Sequence, residues 1–240
     1  MVNTFDLDGE VALVVGAAPG GLGERAAQAL ASHGATVVRA DLDGTGVDLT
    51  VDVTDEASVH ALVTAVVERR GRLEVLVNAA GVMLRKSYDT TTLAEFEHVV
   101  RVNLTGSWLL ARAAAPAMSD TGRIVNLSTV YAERVGPVPE SAYYASKAGV
   151  ANVTRALAAE LGPRGITVNC LAPGVFYPTK MTAALGAEPD RLRWFADRTM
   201  LGRLGDPERD LAGPLLLLAS RASSYLTGQV LYVDGGWSAW

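Results

Sequence analysis

The chain has 240 residues, nearly half of them hydrophobic, enough to bury one large core with no second domain required. Its net charge of −5 and pI near 5.3 leave no electrostatic footprint for nucleic acid, and no basic cluster interleaved with aromatics offsets that. A single cysteine, Cys170, excludes an intrachain disulfide, and His33, His60 and His98 lie far apart without metal-ligand spacing, so no metal site is expected.

In chain order, Asp6, Asp8 and Glu10 precede any apolar run, and the strongest apolar run, LAGPLLLLAS, is too short to span a bilayer. No membrane segment is expected, and a cytoplasmic location is. Short β-branched runs then alternate with longer amphipathic segments. VALVV (11–15) precedes a helix over 24–33, ATVVRA (35–40) precedes a helix over 55–70, and LEVLV (73–77) precedes a helix over 93–115. RIVNLS (123–128), a helix over 141–161, ITVNCL (166–171), a helix over 207–220 and QVLYVD (229–234) complete the series. The alternation predicts one doubly wound α/β domain over 1–240, a parallel sheet of about seven strands with helices on both faces. Residues 173–206 form the one long irregular stretch, and a loop of that length inside a compact domain points to a substrate lid around 174–206.

Ligands of such sheets bind outside the carboxyl ends of the strands. Directly after the first strand comes GAAPGGLGE, where Gly16, Gly20, Gly21 and Gly23 lead into a helix. Glycines let a backbone turn tightly against a pyrophosphate, whose charge the helix N-terminus then meets. Asp41, 18 residues past Gly23 at the end of the second strand, can accept hydrogen bonds from a ribose 2′-hydroxyl. The same carboxylate repels a 2′-phosphate, which favours NAD over NADP. Arg39 faces the same side of that strand and is placed to pair with Asp41.

The stretch ESAYYASKAGV (140–150) carries one of only three lysines, against 18 arginines. Residues four apart share a helix face, whereas adjacent ones diverge by about 100°, so Lys147 sits beside Tyr143 and not Tyr144. Making a phenol an acid–base catalyst near neutrality requires about 4 kcal/mol of preference for the phenolate. An ammonium about 4 Å away supplies about that much at an effective dielectric of about 20.

With GAAPGGLG, Asp41, LVNAAG, NLST and AYYASK in that order, the chain resembles the short-chain dehydrogenase/reductase family from end to end. The resemblance implies a Rossmann-like fold and Tyr143 as general acid/base, with Lys147 lowering its pKa and holding the nicotinamide ribose. Asn103 in VNLTG would support a proton relay. Asp52 and Val53 would meet the adenine, and Asn78, Ala79 and Gly81 of NAAG would lie beside its ribose and the central sheet. Pro173, Gly174 and Val175 would flank the nicotinamide and Thr179 the phosphates. Gly16, Gly21 and Gly23, with Leu22 between the last two, take the glycine roles. The loop departs from the family's G-x-x-x-G-x-G by one extra residue, which Pro19 and Gly20 accommodate, and Val15 replaces the usual hydroxyl before it. The family's catalytic serine position falls on Thr129, with Ser128 as the other candidate hydroxyl. Homo-oligomers, tetramers or dimers, are the family's habit.

The expected activity is hydride transfer between NAD and a secondary alcohol or ketone. Two alternatives stand beside it: a sugar-nucleotide epimerase or dehydratase on the same core, and a dinucleotide-binding sensor or scaffold with no turnover. Met181, Leu185, Trp194, Phe195 and Met200 in the lid suggest an apolar substrate, and Arg191, Arg193 and Arg198 leave room for an acidic group.

Overall fold

A computed structural model describes residues 3–42 and 44–239. Seven parallel strands lie in the order β3-β2-β1-β4-β5-β6-β7. They are β1 (Val11–Val15), β2 (Thr36–Asp41), β3 (Leu49–Thr50), β4 (Val75–Asn78), β5 (Arg123–Leu127), β6 (Thr167–Pro173) and β7 (Val230–Val233). The seventh strand, which no run in the sequence located, is β3. It is two residues long, too short to carry a pattern, and pairs with the end of β2.

Strand residues alternate between two cores, because successive side chains point to opposite faces. Val11, Leu13 and Val15 of β1 join one cluster, and Ala12 and Val14 the other. The first is covered by α2 (Glu56–Arg70), α4 (Gly106–Ala114) and α5 (Ser141–Leu161), the second by α1 (Leu22–Ser32) and α7 (Ala212–Ala219). Each fully buried leucine, such as Leu13 or Leu76, contributes roughly 1.5–3 kcal/mol. Beneath the sheet, at the amino ends of the strands, buried Arg123 pairs with Glu10. Glu74 accepts from the Val11 N–H at 2.8 Å and from Arg72 Nε at 2.5 Å, and Arg221 lies 3.6 Å from Glu10.

Three elements differ from the sequence expectation. The helix expected over 93–115 is α3 (Leu93–Val100) and α4 joined by a π-turn at Arg101–Thr105, where the Gly106 N–H reaches back five residues to the Arg101 carbonyl. Hydrophobic periodicity does not register one wide turn. The last helix begins at Ala212 and not at 207; before it the Asp206 carboxylate accepts from the Glu208 and Arg209 N–H groups in a separate local turn. The stretch 173–206 is not irregular throughout: it holds a 3₁₀ segment, Ala183–Ala187, and α6, Pro189–Ala196.

Candidate active site

Strand order reverses between β1 and β4, and a cleft of about 840 Å³ opens at the carboxyl ends of the strands there. Of the site residues expected from sequence, all but Asn78, Asn103 and Val175 line it. Val175 lines a separate hollow of about 330 Å³ with Leu201, Arg209 and Asp234. Asn78 and Asn103 are buried behind the wall.

The glycine loop is fixed by close approach. Gly16 has φ +79°, and a Cβ there would lie 2.4 Å from the Ala80 nitrogen; one on Gly23 would lie 2.1 Å from the Gly16 carbonyl oxygen. Only glycine fits either place. Gly20 has φ +82°: its N–H donates to Glu24 at 2.8 Å, and its carbonyl accepts from the Lys180 N–H at 2.6 Å. One Asp41 oxygen accepts from the Ala18 N–H at 2.9 Å and the other from the Leu42 N–H at 2.8 Å. Arg39 does not pair with Asp41. It turns to Asp48, whose carboxylate accepts from the Arg39 N–H at 2.8 Å and lies 3.7 Å from Nε. The Asp52 carboxyl is held below its ordinary range by hydrogen bonds from the Thr54 hydroxyl and N–H.

At the other end, α5 carries Tyr143 and Lys147 on one buried face. Lys147 Nζ donates to the Leu127 carbonyl at 2.8 Å, and burial pulls its pKa down to about 8. Burial dominates at the phenol as well. Burial pushes Tyr143 well above a phenol's ordinary range and the Glu140 charge adds to this, while the neighbouring Thr129 hydroxyl and the charge of Arg85 oppose it.

Side chains at 128 and 129 diverge as strand geometry requires. Ser128 Oγ donates to the Lys147 carbonyl at 2.8 Å, while the Thr129 hydroxyl shares the cleft with Tyr143 and donates to the Pro173 carbonyl at 3.4 Å. Asn103, inside the π-turn, holds the loop after β4 against α5. Its Oδ1 accepts from the Val82 N–H at 2.8 Å, and its Nδ2 donates to the Val82 carbonyl and to Ser146 Oγ, both at 2.9 Å. Asn78 Nδ2 donates to Ser107 Oγ at 2.7 Å, which donates in turn to the Asn103 carbonyl at 2.6 Å.

The lid contributes less than expected. Met181 lines the cleft, but Leu185 is buried, and Trp194 and Phe195 stack with Trp237, at 6.1 and 6.0 Å between ring centroids. Arg191 pairs with Glu188 at 3.1 Å, and Arg198 lies 4.0 Å over the Trp194 ring. Sequence reasoning missed the cleft residues Met83 and Arg85, whose only signal was their place just past NAAG. Among the described residues no group of three or more His, Cys, Asp or Glu is arranged to hold a metal, and no helix is long and apolar enough to cross a membrane.

The model of the Enoyl-(Acyl carrier protein) reductase family matches residues 16–238, a span that runs from the glycine loop through the tyrosine and lysine to the last strand. The chain belongs to the short-chain dehydrogenase/reductase family. As a member, it is a pyridine-nucleotide-dependent oxidoreductase acting on CH–OH groups. It is 40% identical to trans-4-hydroxycyclohexanecarboxylate dehydrogenase of Sinomonas cyclohexanicum, over 96% of this chain and 93% of that one. It is 33% identical to 2-dehydro-3-deoxy-D-gluconate 5-dehydrogenase of Dickeya dadantii, over 100% and 99%. The fold matches a gluconate 5-dehydrogenase from Burkholderia cenocepacia in complex with NADP and tartrate, with TM-score 0.91, 32% identity and 99% and 98% coverage.

Proposed function

We propose that this short-chain dehydrogenase/reductase transfers a hydride between NAD(H) and a secondary alcohol or ketone that carries a carboxylate, with Tyr143 moving the proton at the substrate oxygen. The observation that carries this reading is the meeting of Tyr143, Thr129 and Lys147 in one cleft with the glycine loop and Asp41. The residues fit a dinucleotide. Gly21 offers bare backbone at the N-terminus of α1, where a pyrophosphate needs N–H donors, and the cleft volume falls within the roughly 300–1,000 Å³ of ligand sites. When bound, the nicotinamide supplies the hydride acceptor or donor.

The protein's part is orientation and proton movement. Thr129 hydrogen-bonds the substrate oxygen as charge develops on it, and Tyr143 gives or takes its proton. Lys147 holds the ribose. Asn103 is a positioning residue, because its amide braces α5 through Ser146, whose hydroxyl donates to the Tyr143 carbonyl at 2.8 Å. Asp41 supports NAD over NADP: its fixed carboxylate would accept from ribose hydroxyls and repel a 2′-phosphate, and Arg39 is engaged with Asp48. A carboxylate on the substrate is supported by three relatives' names, trans-4-hydroxycyclohexanecarboxylate, 2-dehydro-3-deoxy-D-gluconate and gluconate, while galactitol, in a fourth, carries none. A homo-oligomer, dimer or tetramer, is proposed from the family resemblance and is tested by light scattering after gel filtration.

The decisive experiment follows nicotinamide absorbance with a panel of ketones and secondary alcohols, each with NAD(H) and NADP(H). Turnover with NAD(H) preferred is expected, and Asp41→Ala should narrow the gap. Cofactor binding with no turnover on any substrate would favour the sensor, and a wild-type preference for NADP(H) would overturn the role given to Asp41.

A further inference from the structure

The catalytic end of the cleft holds one guanidinium. Arg85 lines it together with Val82, Met83, Met181 and Tyr143, whereas the cleft's two carboxylates, Asp41 and Asp52, belong to the far end beyond β2. Arg85 Nε donates to Glu140 at 2.9 Å, and Glu140, 4% exposed at the start of α5, is thereby paired. Among the described residues this is the only hydrogen bond Arg85 makes, and its side chain is 36% exposed. A planar guanidinium fixed along one edge leaves its terminal nitrogens free for another acceptor, in a geometry that suits the two oxygens of a carboxylate. Its charge also reaches the Tyr143 hydroxyl, where it opposes the effect of burial.

We propose that Arg85 receives the substrate carboxylate. The apolar wall of Val82, Met83 and Met181 beside it selects an aliphatic or alicyclic hydroxy or oxo acid over a polyhydroxylated one. A polyol would leave hydroxyls facing methyl and thioether groups that cannot hydrogen-bond them. This assignment rests on the hydride-transfer reading above.

The test pairs 4-oxocyclohexanecarboxylate with its methyl ester, and with 5-keto-D-gluconate as the polyhydroxylated acid, on the NADH-loaded protein. In parallel, bound-NADH fluorescence is titrated with cyclohexanecarboxylate and with its carboxamide. Wild type should prefer the acid to its ester by about tenfold or more in kcat/KM, mostly through KM, and should prefer it to the polyol acid. Arg85→Met should erase the acid-over-ester ratio and carboxylate binding, and Arg85→Lys should restore part of both. Because Arg85→Met leaves Glu140 buried without its cation, Arg85→Met/Glu140→Gln provides a neutral pair, and thermal melts verify folding of each variant. An acid-over-ester ratio that survives in the folded double variant would overturn the role of Arg85, and a preferred polyol acid would overturn the apolar selection. No turnover of any ketone would instead sink the hydride-transfer reading, with the fluorescence titration still deciding whether Arg85 binds carboxylate.

Discussion

Tyr144 donates its hydroxyl to the Val138 carbonyl at 2.9 Å, while its neighbour Tyr143 lines the cleft with Thr129. Tyr143→Phe should therefore abolish turnover with NADH still bound, and Tyr144→Phe should keep most activity; a dead Tyr144→Phe would reverse the two roles. Thr129→Ala should lose about 10²-fold or more in rate, the effect of removing an oxyanion donor. Ser128→Ala should cost far less, because that hydroxyl serves the Lys147 carbonyl. Steady-state rates on one working substrate compare all four variants. Lys147 gives a pH dependence: its ammonium holds below about 8 and is lost as pH rises through that value. NADH affinity, read by fluorescence, should weaken above about pH 8 in wild type and stay flat in Lys147→Met. At this scale the sequence was legible where chemistry follows local geometry, as in the four-residue spacing of Tyr143 and Lys147. It misled where a neighbour intervened: Arg191 satisfies itself three residues away on Glu188, and Asp48, brought beside β2 by the short β3, takes Arg39 from Asp41. Arg85 lay in a loop without period, so nothing but the fold could bring it beside Tyr143.

Helices and turns hold these side chains in place. The π-turn widens the helix at Asn103, a common device where a helix must present a group out of regular phase. Periodicity saw one helix over 93–115 because apolar residues continue on both sides of that turn. Just before it, α3 starts with a capping box. Thr92 accepts from the Glu95 N–H, Glu95 accepts from the Thr92 N–H at 2.8 Å, and Lys86 donates to the same carboxylate at 2.8 Å. The bond from Lys86, with those from the Thr92 N–H and hydroxyl, holds the Glu95 carboxyl down at about 2, from an ordinary 4.5. The depressed value means that its stabilisation is full above about pH 4.5 and fades as pH falls towards about 2. Melting temperatures across pH 2–6 should therefore fall less steeply for Glu95→Gln than for wild type, and parallel curves would show that the box contributes nothing.

Across the whole molecule, chemistry occupies one end of the sheet and an ion cluster the other. The order of elements was readable because each buried strand is a short β-branched run, whereas the cluster was not, since Glu10, Glu74 and Arg123 are far apart in sequence. Glu10→Ala would leave Arg123 buried without its partner, and about 3 kcal/mol or more of stability should be lost, seen as a lower urea midpoint with the same kcat below it. At the opposite end the glycine loop and the lid meet through one backbone bond, from the Lys180 N–H to the Gly20 carbonyl. Two segments that line one cleft are thus tied to each other. Whatever factor a molecule bound at the glycine loop exerts on one bound at the segment around Lys180, the second must return in equal measure, so two such affinities are tied as a reciprocal pair.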